Sequence, residues 1–66
     1  MTAPEHIDAA LARFDTGHIA YYAVKPPTVS LHRWMRRLYN AAYRRGRLVR
    51  VLDARDGKTV IIKPQR

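Results

Sequence analysis

The stretch KPPTVSLHRWMRRLYNAAYRR, Lys25 to Arg45, constrains this chain most, because on a helix it splits into two faces that cannot share one environment. At about 100° per residue, Leu31, Met35, Leu38 and Ala42 fall on one side. Trp34 and Ala41 lie on the shoulder of that stripe. Arg33, Arg36, Arg37, Asn40 and Arg44 fall almost opposite. Like charges at neighbouring helical positions repel by a few tenths of a kcal/mol per pair. Solvated charged faces usually alternate sign, and this one holds no acidic residue. One side can be buried; the other asks for an anionic partner.

The totals narrow the classes open to such a chain. At 66 residues it is expected to be one domain, residues 1–66, near the lower limit for folding alone. A core of that size supplies about 3–5 kcal/mol. There is no cysteine, so neither a disulfide nor a thiolate metal site can reinforce it, which fits a reducing cytoplasm. No apolar run approaches the ~20 residues of a membrane span, and MTAPEH lacks the basic and apolar parts of a signal peptide. The expectation is a soluble cytoplasmic protein without a membrane partner.

Charge is unevenly spread along the chain. The total is +8. Residues 1–25 hold Arg13 and Lys25 against Glu5, Asp8 and Asp15, a net of −1. Residues 26–66 hold eleven Lys and Arg against Asp53 and Asp56, a net of +9. This asymmetry predicts one packing side and one side that binds a polyanion.

Taken in order, Thr2-Ala3-Pro4-Glu5 starts a helix: threonine caps, proline sits in the first turn, and Glu5 bonds back to the cap. Ile7, Ala10, Leu11 and Phe14 follow as a single apolar stripe, and Asp15-Thr16-Gly17 stops it. His18 to Val24, HIAYYAV, fits a strand by composition and a short helix by the spacing of Ile19, Tyr22 and Ala23. The short helix, capped by Thr16, is the reading adopted. Lys25-Pro26-Pro27 breaks it. Pro26 or Pro27 opens the central helix, with Thr28 or Ser30 as the alternative cap, and Gly46 closes it.

Beyond Gly46 the period changes from helix to strand. Arg47 to Ala54 and Thr59 to Lys63 flank Arg55-Asp56-Gly57-Lys58, and Asp-Gly between such runs predicts a hairpin on a type I′ turn. That turn pairs Leu52 with Ile61, Val51 with Ile62 and Arg50 with Lys63. Val49, Val51, Val60 and Ile62 then share the core face. Arg50 and Lys63 face each other outside, a like-charge pair that an anion would relieve. Pro64-Gln65-Arg66 reads as a tail.

Helix, short helix, turn, long helix and hairpin, with Ile19-Ala20, Thr28-Val29-Ser30, Trp34, Leu38 and Leu48-Val49-Arg50 in place, resembles the winged helix-turn-helix superfamily. The resemblance covers roughly His6 to Pro64. Two features depart from the pattern: Val24-Lys25-Pro26-Pro27 has no glycine at the turn, and the central helix runs about a turn longer. The resemblance implies a mainly α fold with a C-terminal β-hairpin, three helices plus a two-stranded wing. It implies a recognition helix in the major groove and a wing on the backbone or minor groove. Carried onto this sequence, Thr28, Ser30, Arg33, Arg36 and Arg37 face the groove, with Arg55 and Lys58 at the wing tip.

The charge stripe selects the same arginines without the family. Arginine grips guanine O6 and N7 with two bonds, and Asn40 can read adenine or reach phosphate. Arg44, Arg45, Arg47, Arg50 and Lys63 suit the phosphate backbone. Thr28 and Ser30 are residue types used more often as caps than as base readers. Tyr39 and Tyr43 flank the stripe and can pack under the wing, meet a second copy or stack on bases; packing is the commonest use. Tyr21 is a candidate exposed aromatic at an interface, since small winged helices commonly pair to read two half-sites, which leaves a homodimer open as one assembly.

No enzyme is expected. His6, His18 and His32 are scattered without metal-ligand spacing, and the chain has no Gly-rich phosphate loop, paired carboxylates or nucleophile beside a base. No cofactor or metal is expected either. The leading reading is a sequence-specific double-stranded DNA-binding protein that regulates transcription. The alternatives are a sequence-indifferent nucleic-acid binder, architectural or RNA-directed, and a winged-helix module that docks onto another protein.

Overall fold

Helix α1, Ala3–Asp15, begins where its caps dictate. In the computed structural model, which describes residues 1–65, the Thr2 hydroxyl accepts the Glu5 N–H and the Glu5 carboxylate accepts the Thr2 N–H at 2.7 Å. This reciprocal box satisfies two N–H groups that the first turn leaves free. Ile7 and Ala10 are fully buried, and Leu11 and Phe14 pack at the margin, as the stripe predicted. The helix closes on Thr16, and Gly17 takes φ of 99°, a conformation disfavoured for residues bearing a Cβ.

The C-terminal hairpin forms from β2, Val49–Asp53, and β3, Thr59–Pro64, in the expected register: Arg50 with Lys63, Val51 with Ile62, Leu52 with Ile61. Its turn differs from expectation. A type I′ turn needs positive φ at Asp56 and Gly57, but the positive values fall at Arg55 (68°) and Gly57 (81°). The cause is side-chain competition for the backbone. Asp53 accepts the Arg55 N–H, while Asp56 accepts the N–H groups of Lys58 and Thr59 and the Thr59 hydroxyl. Pro64 ends β3 rather than starting a tail, and Arg66 lies outside the described residues.

The larger correction concerns HIAYYAV. It is a strand, β1, Tyr21–Val24, and it pairs with β3: Tyr21 with Ile62, Tyr22 with Ile61, Ala23 with Val60, Val24 with Thr59. Tyr21 and Ala23 point inward and are buried, while Tyr22 and Val24 point out. A free edge on β3 gave these β-favouring residues a backbone partner, which outweighed a weak helical spacing. The chain therefore has two helices and one three-stranded antiparallel sheet, ordered β1–β3–β2, not three helices and a two-stranded wing.

Helix α2, Leu31–Arg44, starts later than the prolines suggested. Ser30 caps it, accepting the Arg33 N–H at 3.3 Å, and Pro26 and Pro27 lie in the turn that leads there from β1. Gly46, at φ of 72°, follows the last turn as expected. Both helices lie on one face of the sheet around a single core: Ile7 and Ala10 from α1, Trp34, Leu38 and Ala42 from α2, Val49, Val60 and Ile62 from the strands. Each fully buried aliphatic side chain contributes about 1.5–3 kcal/mol. His6 stands edge-on to Trp34 and Tyr21, both ring centroids at 5.7 Å, so it is a packing histidine rather than a surface one.

Candidate nucleic-acid interface

Which way α2 is turned decides what it offers to solvent. Trp34, Leu38, Ala41 and Ala42 are buried, whereas Leu31 and Met35 are only half-buried. The buried centre thus sits toward Trp34, roughly half of one 100° step from the sequence estimate. Two straight rows remain outside, each at i, i+4, i+7, i+11. Arg33, Arg37, Asn40 and Arg44 form one; His32, Arg36, Tyr39 and Tyr43 form the other, and all eight are exposed. At 1.5 Å per residue the cationic row is about 16 Å long.

The helix is a crest between two hollows. On the sheet side an open groove of about 710 Å³ is lined by His32, Met35, Arg36, Tyr39, Val49 and Val51. On the α1 side a smaller hollow of about 300 Å³ lies against Ala3 and Pro4, with Arg37 and Arg44 at its edge. Asn40 borders both and so marks the top of the crest.

The remaining sequence candidates are distributed around this crest. Ser30 is engaged as the α2 cap, and Thr28 is exposed in the turn before it. Arg55 and Lys58 are exposed at the hairpin tip. The Lys25 N–H donates to the Lys58 carbonyl at 2.7 Å, which ties that tip to the segment entering α2. Arg45 and Arg47 are not available as expected. Arg45 pairs with Asp8 and also donates to the Ala41 carbonyl, and Arg47 pairs with Asp15 at 3.3 Å. Both tie the end of α2 back to α1.

The sequence left the aromatic row open between packing under the hairpin, meeting a second copy and stacking on bases, with packing the commonest use. Tyr39 is 43% exposed, lining the groove beside Val49 and Val51, and Tyr43 is 66% exposed, so both present ring surface to solvent. Tyr21 is the reverse: it is buried, its hydroxyl 2.9 Å from His6 Nδ1, with the Arg13 guanidinium 5.1 Å from its ring centre. The signal that finds Tyr39 and Tyr43 is their register with His32, which Trp34 as the centre of the buried arc would have turned outward.

Every Asp and Glu side chain is committed elsewhere. Glu5 serves the α1 cap, Asp8 and Asp15 hold Arg45 and Arg47, and Asp53 and Asp56 fasten the hairpin turn. These contacts favour the ionised forms. Thr2 lowers the Glu5 pKa, the Arg45 hydrogen bond lowers that of Asp8, and the Thr59 hydroxyl with the Lys58 and Thr59 N–H groups brings Asp56 to about 2. Burial lowers the His6 pKa, helped by the positive N-terminus. Among the described residues, Arg33, Arg36, Arg37 and Arg44 form no ion pair.

Among the described residues no three His, Asp or Glu side chains gather as a metal site, and no helix is long and apolar enough to cross a membrane. No protein-family model, curated protein or solved structure matches this chain.

Proposed function

We propose that this protein binds double-stranded DNA sequence-specifically and regulates transcription by occupying its site. One observation carries the reading: among the described residues, four exposed arginines on one side of α2 have no carboxylate to neutralise them, while all five Asp and Glu side chains are engaged elsewhere. A phosphate backbone is the partner that relieves such a row. The major groove is about 12 Å wide and admits one helix, so the crest enters with Arg33, Arg36 and Asn40 toward base edges. Arg37 and Arg44 flank it toward phosphate, and Arg55 and Lys58 reach the neighbouring backbone or minor groove. The role implies a cytoplasmic location alongside the nucleic acid.

A second reading, sequence-indifferent binding of single strands or RNA, draws on Tyr39 and Tyr43, whose exposed rings stand beside the arginines as bases need for stacking. One titration separates the two from each other and from neither. Random duplex, single strand and structured RNA are bound at several salt concentrations. Neutralising ~6 phosphates gives a slope of log K against log salt near −5. Preference for duplex supports the first reading and preference for single strand the second. A slope near zero on every substrate removes both.

A further inference from the structure

The sheet face turned away from the helices breaks the pattern expected of an antiparallel sheet with one wet side, in which outward positions are polar. Its central row is apolar across all three strands: Tyr22 pairs with Ile61, and Ile61 with Leu52. Val24 adjoins Tyr22 on β1, and the two are 57% and 63% exposed. Arg50 and Lys63, paired across β2 and β3, occupy one end of the same face. Asp53 pairs with Val60 and so alternates onto the opposite face, and Asp56 is held in the turn by Lys58 and Thr59, so among the described residues no acid sits beside that cationic end.

The dimensions select the occupant. Three strands ~4.8 Å apart and five residues long at ~3.4 Å make a face of about 250 Å². A stable dimer buries about 800 Å² per partner, so a second copy stacked here would be held too weakly, and it would bring Arg50 and Lys63 with no acids to meet them. One helix, about 10 Å across and ~18 Å long for twelve residues, covers about 180 Å² of this face, the footprint of a weak, reversible contact rather than of a stable dimer. We infer that the outer sheet face docks a short amphipathic helix of another protein, with a Leu- or Phe-like apolar stripe on the Tyr22–Ile61–Leu52 row and Asp or Glu at the end that meets Arg50 and Lys63. This surface lies on the opposite side of the sheet from α2, so a bound helix leaves the crest free.

The test selects a displayed library of 14-residue helical peptides on the full chain at 0.15 M salt. The peptides are randomised among apolar, acidic, basic and small residues. The inference expects enrichment of apolar positions at i, i+3 or i+4 and i+7 with acids at one end. An enriched peptide should bind at least tenfold more weakly to Tyr22→Ser and to Arg50→Glu, and within twofold of wild type to Arg37→Ala on the crest. Tyr22 is mostly exposed, so Tyr22→Ser should keep the thermal midpoint, and Val24→Ser provides a second variant should it fall. Three results overturn the inference. The first is no such enrichment, or binding indifferent to Tyr22 and Arg50. The second is sedimentation as a dimer that Tyr22→Ser dissolves, which makes a second copy the occupant. The third is Tyr22-dependent binding to vesicles of 30% phosphatidylglycerol in phosphatidylcholine without peptide enrichment, which makes it a lipid surface.

Discussion

Arg44 and Arg45 are neighbours in the chain and do opposite things. Arg45 turns back onto α1, where Asp8 receives its guanidinium and the Ala41 carbonyl takes a further N–H. Arg44 stands on the outward row beside the α1 hollow, without an ion pair among the described residues. Arg47 and Arg50 repeat the division: the first meets Asp15, the second faces Lys63 across the hairpin. Identical side chains are sorted by whether an acid of the N-terminal helix comes opposite. Those near the join of α2 and β2 hold the fold together, and those along the crest remain for a ligand.

Both groups depend on α2 being seated with Trp34 and Leu38 inward, so the largest effect lies there. Leu38 is fully buried, and Leu38→Ala should lower stability by about 2–5 kcal/mol. In so small a domain that removes most of the folded population at room temperature. Thermal denaturation followed by circular dichroism would show it. A retained midpoint means the helix is turned differently and the two groups of arginines are drawn wrongly.

Next comes the division within the crest and hairpin. Arg33→Ala or Arg36→Ala should cost about 1–3 kcal/mol on the preferred duplex and relax selection at particular bases. Lys58→Ala, at the hairpin tip, should weaken all sequences about equally and make the salt slope shallower by about one. Each variant removes one cation, so total charge does not distinguish them. A selected-site library scored with all three decides it, and uniform losses throughout leave only a sequence-indifferent binder.

The Arg44 and Arg45 pair supplies a smaller, crossed test. Arg44→Ala should reduce duplex affinity and the salt slope while leaving the thermal midpoint in place. Arg45→Ala should lower the midpoint and leave the slope near that of wild type. In a double-mutant cycle, Asp8→Ala should couple to Arg45→Ala and not to Arg44→Ala. Coupling of Asp8 to both positions would erase the distinction.

What could be read in advance divides along similar lines. The cap at Thr2, the stripe of α1 and the hairpin register are local, and short-range spacing dictates each. Arg33, Arg36, Arg37, Asn40 and Arg44 were legible as one side of a helix because their common spacing does not depend on what packs opposite. The strand Tyr21–Val24 was not, since its partner, Thr59–Ile62, lies more than thirty residues away and only pairing decides between strand and helix. The glycine-free Val24-Lys25-Pro26-Pro27 turn was the warning: it leads from a strand to the Ser30 cap and has no second helix to reverse. Arg45 and Arg47 were misassigned for the same reason, because Asp8 and Asp15 reach them only after α1 folds across.

The smallest effect belongs to the interior side of the comparison and is read by pH. His6 is held between Tyr21 and Trp34, and burial, with the positive N-terminus, lowers its pKa below the ordinary value near 6.5. The unfolded chain therefore takes up the proton first as pH falls, and the folded chain only later. Stability from this site is full above about pH 6.5 and is lost as pH drops toward the folded value. The lowered carboxylates Glu5, Asp8 and Asp56 act in a separate window, losing their contribution as pH falls below about 4. Between pH 7.5 and 5 the two do not overlap. The wild-type midpoint should fall across that interval, and that of His6→Gln, which cannot titrate, should fall by less. Equal declines in the two proteins would mean that protonation elsewhere sets the slope and that His6 is not closed off by its aromatic neighbours.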